Sequence, residues 1–306
     1  MNIGVIGLGT IAQKAYLPIY TTHFPQHTWH FCTRNEVRLK ELGEKYGLTD
    51  SQLHTSWEEL ANSVDAVCIH TPTPTHEEMI RFYLDRSIPV FVDKPLTENI
   101  EKTKELITLS NHKNTPLMIG FNRRFAPQVN QLSEIKDKNM LIVQKNQFAA
   151  TDFSVRYRIY DLMIHPIDTA VYLMDDPSLS ITASEVVVED DQFKRAWVLL
   201  KSAQTTALVS VNNESGAKRE TLELQSPSGT YTVDNLTELS RFDQKGKFSQ
   251  TAGDWTETLE KRGFHPMIEA FLSALENKTV MPVSVESALI SHTICEDIIL
   301  TYENKK

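Results

Sequence analysis

Ile3-Gly4-Val5-Ile6-Gly7-Leu8-Gly9-Thr10-Ile11-Ala12 is the stretch that decides the fold. An apolar run of strand length leads into Gly7-x-Gly9-x-x-Ala12 and then into residues of helical character, the context in which this glycine spacing binds a pyrophosphate. Gly7 permits the tight turn, Gly9 lets the backbone approach phosphate oxygens, and the small Ala12 lets the helix pack closely on the strand. Thr10 and Ile11 open that helix, whose unpaired N–H groups face the anion. The stretch is apolar enough to resemble a secretory signal. It lacks a basic leading region, however, and its glycines interrupt the apolar run, so it reads as a first strand.

Outward from this turn, short Val/Ile/Phe-rich runs at 3–6, 29–33, 66–69, 90–92 and 117–120 alternate with helical-period segments at 36–46, 75–87 and 98–111. That alternation predicts a doubly wound parallel sheet covered on both faces. Beyond residue 120 the pattern turns to consecutive extended segments at 141–148, 184–188, 196–200, 207–211 and 221–225, with turn residues at Pro227-Ser228-Gly229 and Lys245-Gly246. These predict a second, α+β domain with a mainly antiparallel open sheet, interrupted by a helix over 160–174 and closed by helices over 267–276 and 285–303. The expected division is therefore 1–120 and 121–306.

The chain has 306 residues and a formal net charge of -9, a balance that disfavours a polyanionic partner such as nucleic acid. No run approaches the roughly 18 apolar residues of a membrane span. Cys32, Cys68 and Cys295 are odd in number, far apart and without a CxxC, which points to a reducing cytoplasm and away from disulfides or thiolate zinc. His23, His27 and His30 have ligand-like spacing, but Pro25 and the strand starting at Trp29 remove the helix that spacing needs, so no metal is expected.

At the end of the second strand an acidic residue would bond a ribose 2′-OH and repel a 2′-phosphate. Here the stretch is Thr33-Arg34-Asn35, with no acid before Glu36. Thr33 and Asn35 can hydrogen-bond a phosphate and Arg34 can pair with it, so NADP is preferred over NAD, with NAD also accepted as a cofactor. Val92-Asp93-Lys94-Pro95 ends the fourth of these strands, at the edge of the sheet where ligands bind, and aims Lys94 toward a nicotinamide. Asp161 and His165, four apart, share a helix face, with Asp168 on the same broad face. Imidazole suits proton transfer from an alcohol, a carboxylate can orient it, and an ammonium can stabilise charge on oxygen.

The order GLGTIA, TPTPTH, VDKP, GFNRRFAP and DxxxHxxD resembles the Gfo/Idh/MocA family of NAD(P)-dependent oxidoreductases across essentially the whole chain. The resemblance implies an N-terminal Rossmann domain, a C-terminal α+β domain whose open sheet face forms a homodimer or homotetramer interface, and Lys94, Asp161 and His165 as catalytic residues. It also implies that Thr71, Pro72, Thr73, Asn122 and Arg123 line the cofactor. His76 is expected at a helix start on the cofactor side, and the Lys94–Pro95 peptide is expected to be cis. The implied activity is hydride transfer between a nicotinamide and a secondary alcohol or carbonyl of a sugar, polyol or related small molecule.

Two departures bear on that activity. The stretch Asp152-Phe153-Ser154-Val155-Arg156-Tyr157-Arg158-Ile159-Tyr160 stands where members often carry Gly-Gly, and Pro166 follows His165, where it removes a helical N–H. They leave open the alternative of a catalytically silent cofactor-binding sensor, although the retention of Lys94, Asp161 and His165 argues for catalysis. Residues 121–160 hold seven Lys or Arg and three Asp or Glu, a local net of +4. Arg123, Arg124, Arg156 and Arg158 in that segment are candidates to bind an anionic substrate or the 2′-phosphate, and Arg156, Arg158 and Asp168 are the candidate substrate contacts.

Overall fold

The structure is a computed structural model that describes residues 1–148 and 153–305. The chain divides into two compact units, 1–120 with 268–285, and 121–267 with 286–306. The first unit therefore takes in a late return of the chain as well as its N-terminal portion.

Six parallel strands form the sheet of the first unit: β1 (Asn2–Ile6), β2 (Thr28–Cys32), β3 (Leu53–His54), β4 (Ala66–Ile69), β5 (Val90–Asp93) and β6 (Leu117–Gly120). Their spatial order is β3-β2-β1-β4-β5-β6, so the chain reverses its direction of winding between β1 and β4, the place where doubly wound sheets bind ligands. β4 and the edge strand β6 are buried along their whole length, and β1 and β5 at every position but one, as expected of strands covered on both faces. Helices Glu36–Tyr46, His76–Asp85 and Ile100–Lys113 supply crossovers. Asn35 and Asn99 cap the first and last of these by accepting from backbone N–H groups. Only β3, two residues long, is too short to announce itself in the sequence.

The second unit contains eight strands: β7 (Met140–Phe148), β8 (Ser180–Glu189), β9 (Gln192–Lys201), β10 (Thr206–Asn212), β11 (Glu214–Ser226), β12 (Gly229–Asp234), β13 (Glu238–Asp243) and β14 (Gly246–Thr251). The order is β14-β13-β12-β11-β7-β10-β9-β8, antiparallel throughout except where β7 and β10 run parallel. Pro227-Ser228 forms the two-residue turn that sets Ser226 against Gly229. On one face Leu141, Val143, Leu222 and Leu224 are buried, and Lys145 and Glu220, paired across the ladder, continue that same face. The face is thus apolar along most of its length and ionic at one end.

The helix expected over 160–174 begins earlier. Val155–Arg158 is α-helical, Ile159–Met163 is a π-helical turn, and Ile164–Met174 is α-helical again, with Ser154 accepting from the Tyr157 N–H at the start. The helix after the glycine turn has the same device, a π turn at Ala12–Tyr16 before Leu17–His23. A proline ring clashes with the carbonyl four residues back and lacks the N–H to bond it. For Pro18 and Pro166 that residue is Lys14 and Leu162, each inside a π turn, and the widened turn accommodates the ring. The N–H that Pro166 lacks is thus accommodated by a wide turn.

Candidate active site

In the first unit the glycine turn lies against the end of β4. Gly7 has φ +90°, and a methyl group on it would stand 2.7 Å from the Thr71 backbone nitrogen, so only glycine fits. A methyl on Gly9 would meet nothing within 4 Å, leaving the open backbone approach that a pyrophosphate needs. Ala12 is fully buried beneath the turn while Thr10 and Ile11 are exposed. These features fit a dinucleotide, with Gly7, Gly9 and the first N–H groups of the helix as its phosphate cradle.

At the ends of the neighbouring strands, Thr71 Oγ1 accepts from Thr75 at 2.7 Å, and Thr75 also donates to the Pro72 carbonyl at 2.8 Å, which folds Thr71, Pro72 and Thr73 into a compact turn. His76 follows and is 1% exposed. Its Nε2 lies 2.9 Å from the Thr71 carbonyl, and its Nδ1 lies 3.0 Å and 3.3 Å from those of Pro95 and Leu96. Burial pushes the imidazole below its ordinary pKa. Backbone carbonyls flank both ring nitrogens, and the one nitrogen that carries the proton of the neutral ring donates to the Thr71 turn or to the loop after Lys94.

Lys94 follows β5, and the Lys94–Pro95 peptide is cis. Its backbone N–H donates to Asp93 Oδ1 at 2.9 Å, and the same oxygen accepts from the Tyr16 hydroxyl at 3.1 Å. Burial raises the Asp93 carboxyl, partly offset by Lys94 and by the Tyr16 hydrogen bond. Tyr16 comes from the π turn, stacks on His70 at 3.9 Å between ring centroids, and is fully buried. Burial also drives the His70 imidazole down to about 3, so that it accepts or donates only as a neutral ring. The phosphate turn and the lysine loop are thereby joined through Tyr16 and Asp93, a link with no motif of its own.

At the end of β2, Arg34 is exposed, with no hydrogen bond or ion pair among the described residues. Thr33 Oγ1 accepts weakly from the Asn35 N–H at 3.4 Å, and Asn35 Oδ1 caps the next helix by accepting from the Arg38 N–H at 3.0 Å. Asn35 is therefore partly committed to the helix, and its amide N–H groups remain the part suited to a phosphate.

The second unit holds the other candidates. Arg123 is 4% exposed; its Nη1 donates to His165 Nδ1 at 2.7 Å, its Nη2 donates to Glu220 Oε2 at 2.9 Å, and its Nε donates to Glu220 Oε1. Asn122 donates to the Arg262 carbonyl at 2.7 Å and accepts from Arg123. Asn122 and Arg123, expected to line the cofactor, make these contacts within the unit. Burial raises the Glu220 carboxyl, but Arg123, its hydrogen bonds, Lys145 and Arg262 outweigh that and hold it down to about 2. Lys145, 3.5 Å from Glu220, is lowered to about 8 by burial and by Arg123.

The basic segment meets carboxylates from distant sequence. Arg124 forms a fork to Asp168 at 2.9 Å and 2.6 Å, and Ser291 donates to the same carboxylate at 2.9 Å. Asp168 is 1% exposed, so the substrate contact expected of it gives way to a buried ion pair. Arg156 forms a second fork, to Glu296 at 2.7 Å and 2.9 Å, and Tyr160 donates to that carboxylate as well. Arg158 packs over the Phe153 ring at 4.7 Å. Three of the four arginines expected to draw an anion are thus neutralised by Glu220, Asp168 and Glu296. Asp152 lies outside the described residues. Asp161 falls in the π turn and His165 at the start of the following α-helix.

Residues 1–121 match the oxidoreductase family, NAD-binding Rossmann fold, of the Gfo/Idh/MocA type. These residues are a Gfo/Idh/MocA Rossmann domain. The Salmonella typhimurium protein YceM is 28% identical over 301 residues, covering 97% of this chain and 96% of its own. The inositol 2-dehydrogenase of Rhizobium meliloti is 23% identical over 270 residues, 81% of each chain. The crystal structure of the dehydrogenase MviM from Clostridium difficile superposes with a TM-score of 0.92 at 29% identity, covering 98% of this chain and 99% of that one. That match places the family's NAD-binding Rossmann fold in the first unit. None of its described helices is long and apolar enough to cross a membrane.

Proposed function

We propose that the chain is a dehydrogenase that prefers NADP(H) and oxidises a secondary alcohol, or reduces the corresponding carbonyl, of a sugar, polyol or related small molecule. The observation that carries this reading is Lys94 at the carboxyl end of β5, one strand from the β1/β4 reversal where Gly7 and Thr71 form the phosphate turn. When bound, the nicotinamide supplies a hydride acceptor or donor. Lys94 and His165 are assigned to the proton and to the charge on the substrate oxygen, and Asp161 to orienting the imidazole. Gly7, Gly9, Thr10, Ile11 and Ala12 form the pyrophosphate turn, and Thr71 to Thr73 border it. The exposed guanidinium of Arg34 favours a 2′-phosphate. The substrate class follows the polyol dehydrogenase among the relatives.

Two further assignments belong to this reading. The three cysteines are buried and unpaired, which suits a reducing cytoplasm. Ile142, Trp197, Leu199 and Leu208 lie half-buried on the sheet face opposite Val143, Val198 and Val209, and that face is the proposed contact between copies in a dimer or tetramer. The test of the activity is a panel of sugars and polyols with NADP+ and NAD+, read by the absorbance of reduced nicotinamide, on the wild type and Lys94→Ala. Turnover lost in the variant supports the reading. Tight cofactor binding without turnover across the panel refutes it.

A further inference from the structure

His165 is held at one ring nitrogen by a group that can only give hydrogen bonds. Arg123 Nη1 lies 2.7 Å from His165 Nδ1, and a guanidinium has five donors, no acceptor and no accessible neutral form in proteins. Nδ1 therefore presents its lone pair, and the proton of the neutral ring sits on Nε2. Arg123 is not at liberty to turn aside for the other tautomer. Its Nε and Nη2 are both taken by Glu220, Nη1 also reaches Asn122 Oδ1 at 3.3 Å, and the side chain is 5% exposed. Glu220 is fixed in turn by the β11 register that sets it opposite Lys145. Arg123, Lys145 and Arg262 surround this single carboxylate, so a doubly protonated ring would meet like charge at its Nδ1 edge.

We propose that Arg123, clamped by Glu220, is a positioning residue that fixes His165 as the Nε2–H tautomer, so that His165 meets the substrate oxygen as a hydrogen-bond donor. The claim that this ring serves the reaction rests on the proposed function; the claim about the tautomer does not. A donor at Nε2 stabilises negative charge on the oxygen as hydride leaves or reaches the carbon, and does not take the hydroxyl proton.

The test is nitrogen-15 NMR of the full-length protein labelled at histidine, with the His165 signals identified by their loss in His165→Gln. The expected wild-type spectrum at neutral pH has His165 Nε2 protonated and Nδ1 in the unprotonated, pyridine-like range. In Glu220→Gln and Arg123→Met the Nδ1–H form appears alongside it. A wild-type ring protonated at Nδ1 overturns the proposal whatever the variants do, and so does a tautomer unchanged in both variants. On a substrate found in the panel, Glu220→Gln is expected to lower kcat about 10- to 100-fold, by analogy with the loss of a group that orients a metal-ligating histidine. If His165→Gln leaves turnover intact while the Nε2–H spectrum holds, it is the functional assignment of the ring that fails, not the tautomer.

Discussion

Replacing Glu220 with Gln removes the one anion among Arg123, Lys145 and Arg262 while keeping the shape of the side chain. The folded protein holds this carboxyl at about 2 against an ordinary value of 4.5. At about 1.4 kcal/mol per pKa unit, the ionised form contributes about 3 kcal/mol to stability. Truncating one partner of a buried ion pair costs about 3–5 kcal/mol, which agrees. The sign is set by the depressed folded value: the contribution is fully present above the unfolded pKa and is lost as pH falls through the folded one. Urea unfolding of wild type and variant should therefore differ by about 3 kcal/mol at pH 7 and pH 5.5, narrowing to about 2 kcal/mol near pH 3.5. A difference below about 1 kcal/mol at pH 7, or one that stays constant down to pH 3.5, would show that Glu220 is not held by these cations.

Asp168→Asn strips the charge from a fully buried fork and leaves Arg124 unpaired, so unfolding should show a loss of about 3–5 kcal/mol while the dissociation constant for the dinucleotide stays at its wild-type value. Gly7→Ala forces φ +90° on a residue with a side chain and drives its methyl into Thr71; a loss of about 1–3 kcal/mol, with weakened dinucleotide binding by calorimetry, is expected. Arg34→Ala should raise KM for NADP+ by about tenfold or more, the worth of one charge-assisted hydrogen bond, and leave KM for NAD+ unchanged; equal effects on both would remove Arg34 from the discrimination.

The parallel sheet was legible because its strands are continuous apolar runs bounded by helical-period segments, and because Gly7-x-Gly9-x-x-Ala12 marks the place where the first strand ends. Leu53-His54 was not, since two residues carry no period. The hairpins beyond β11 were visible only at their turns, because strands such as Gly246–Thr251, exposed at every position, have no buried face to alternate. The ionic network was least legible. Glu220 and Glu296 lie in no motif, and their partners are 97 and 140 residues away in sequence. The one clue was the surplus of four positive charges over 121–160. By itself that surplus is compatible with a ligand or with a basic surface face, whereas burial of Arg123 and Arg124 requires carboxylates from the protein itself. Tyr16 was similarly silent: its reach to Asp93 depends on a wide turn that no hydrophobic period encodes.

The two π turns owe their width to Pro18 and Pro166, which belong to the covalent chain and need no ligand to act. An α-helix that gained back the regular hydrogen bond would lose the surplus residue and rotate its N-terminal portion by about 100° relative to its C-terminal portion. On one helix that rotation would carry Tyr16 off His70 and away from Asp93; on the other it would turn Asp161 with respect to His165. The prolines close that route. The direction of Tyr16 toward Asp93, and that of Asp161 on its helix, is settled when the helices form and needs no later rearrangement.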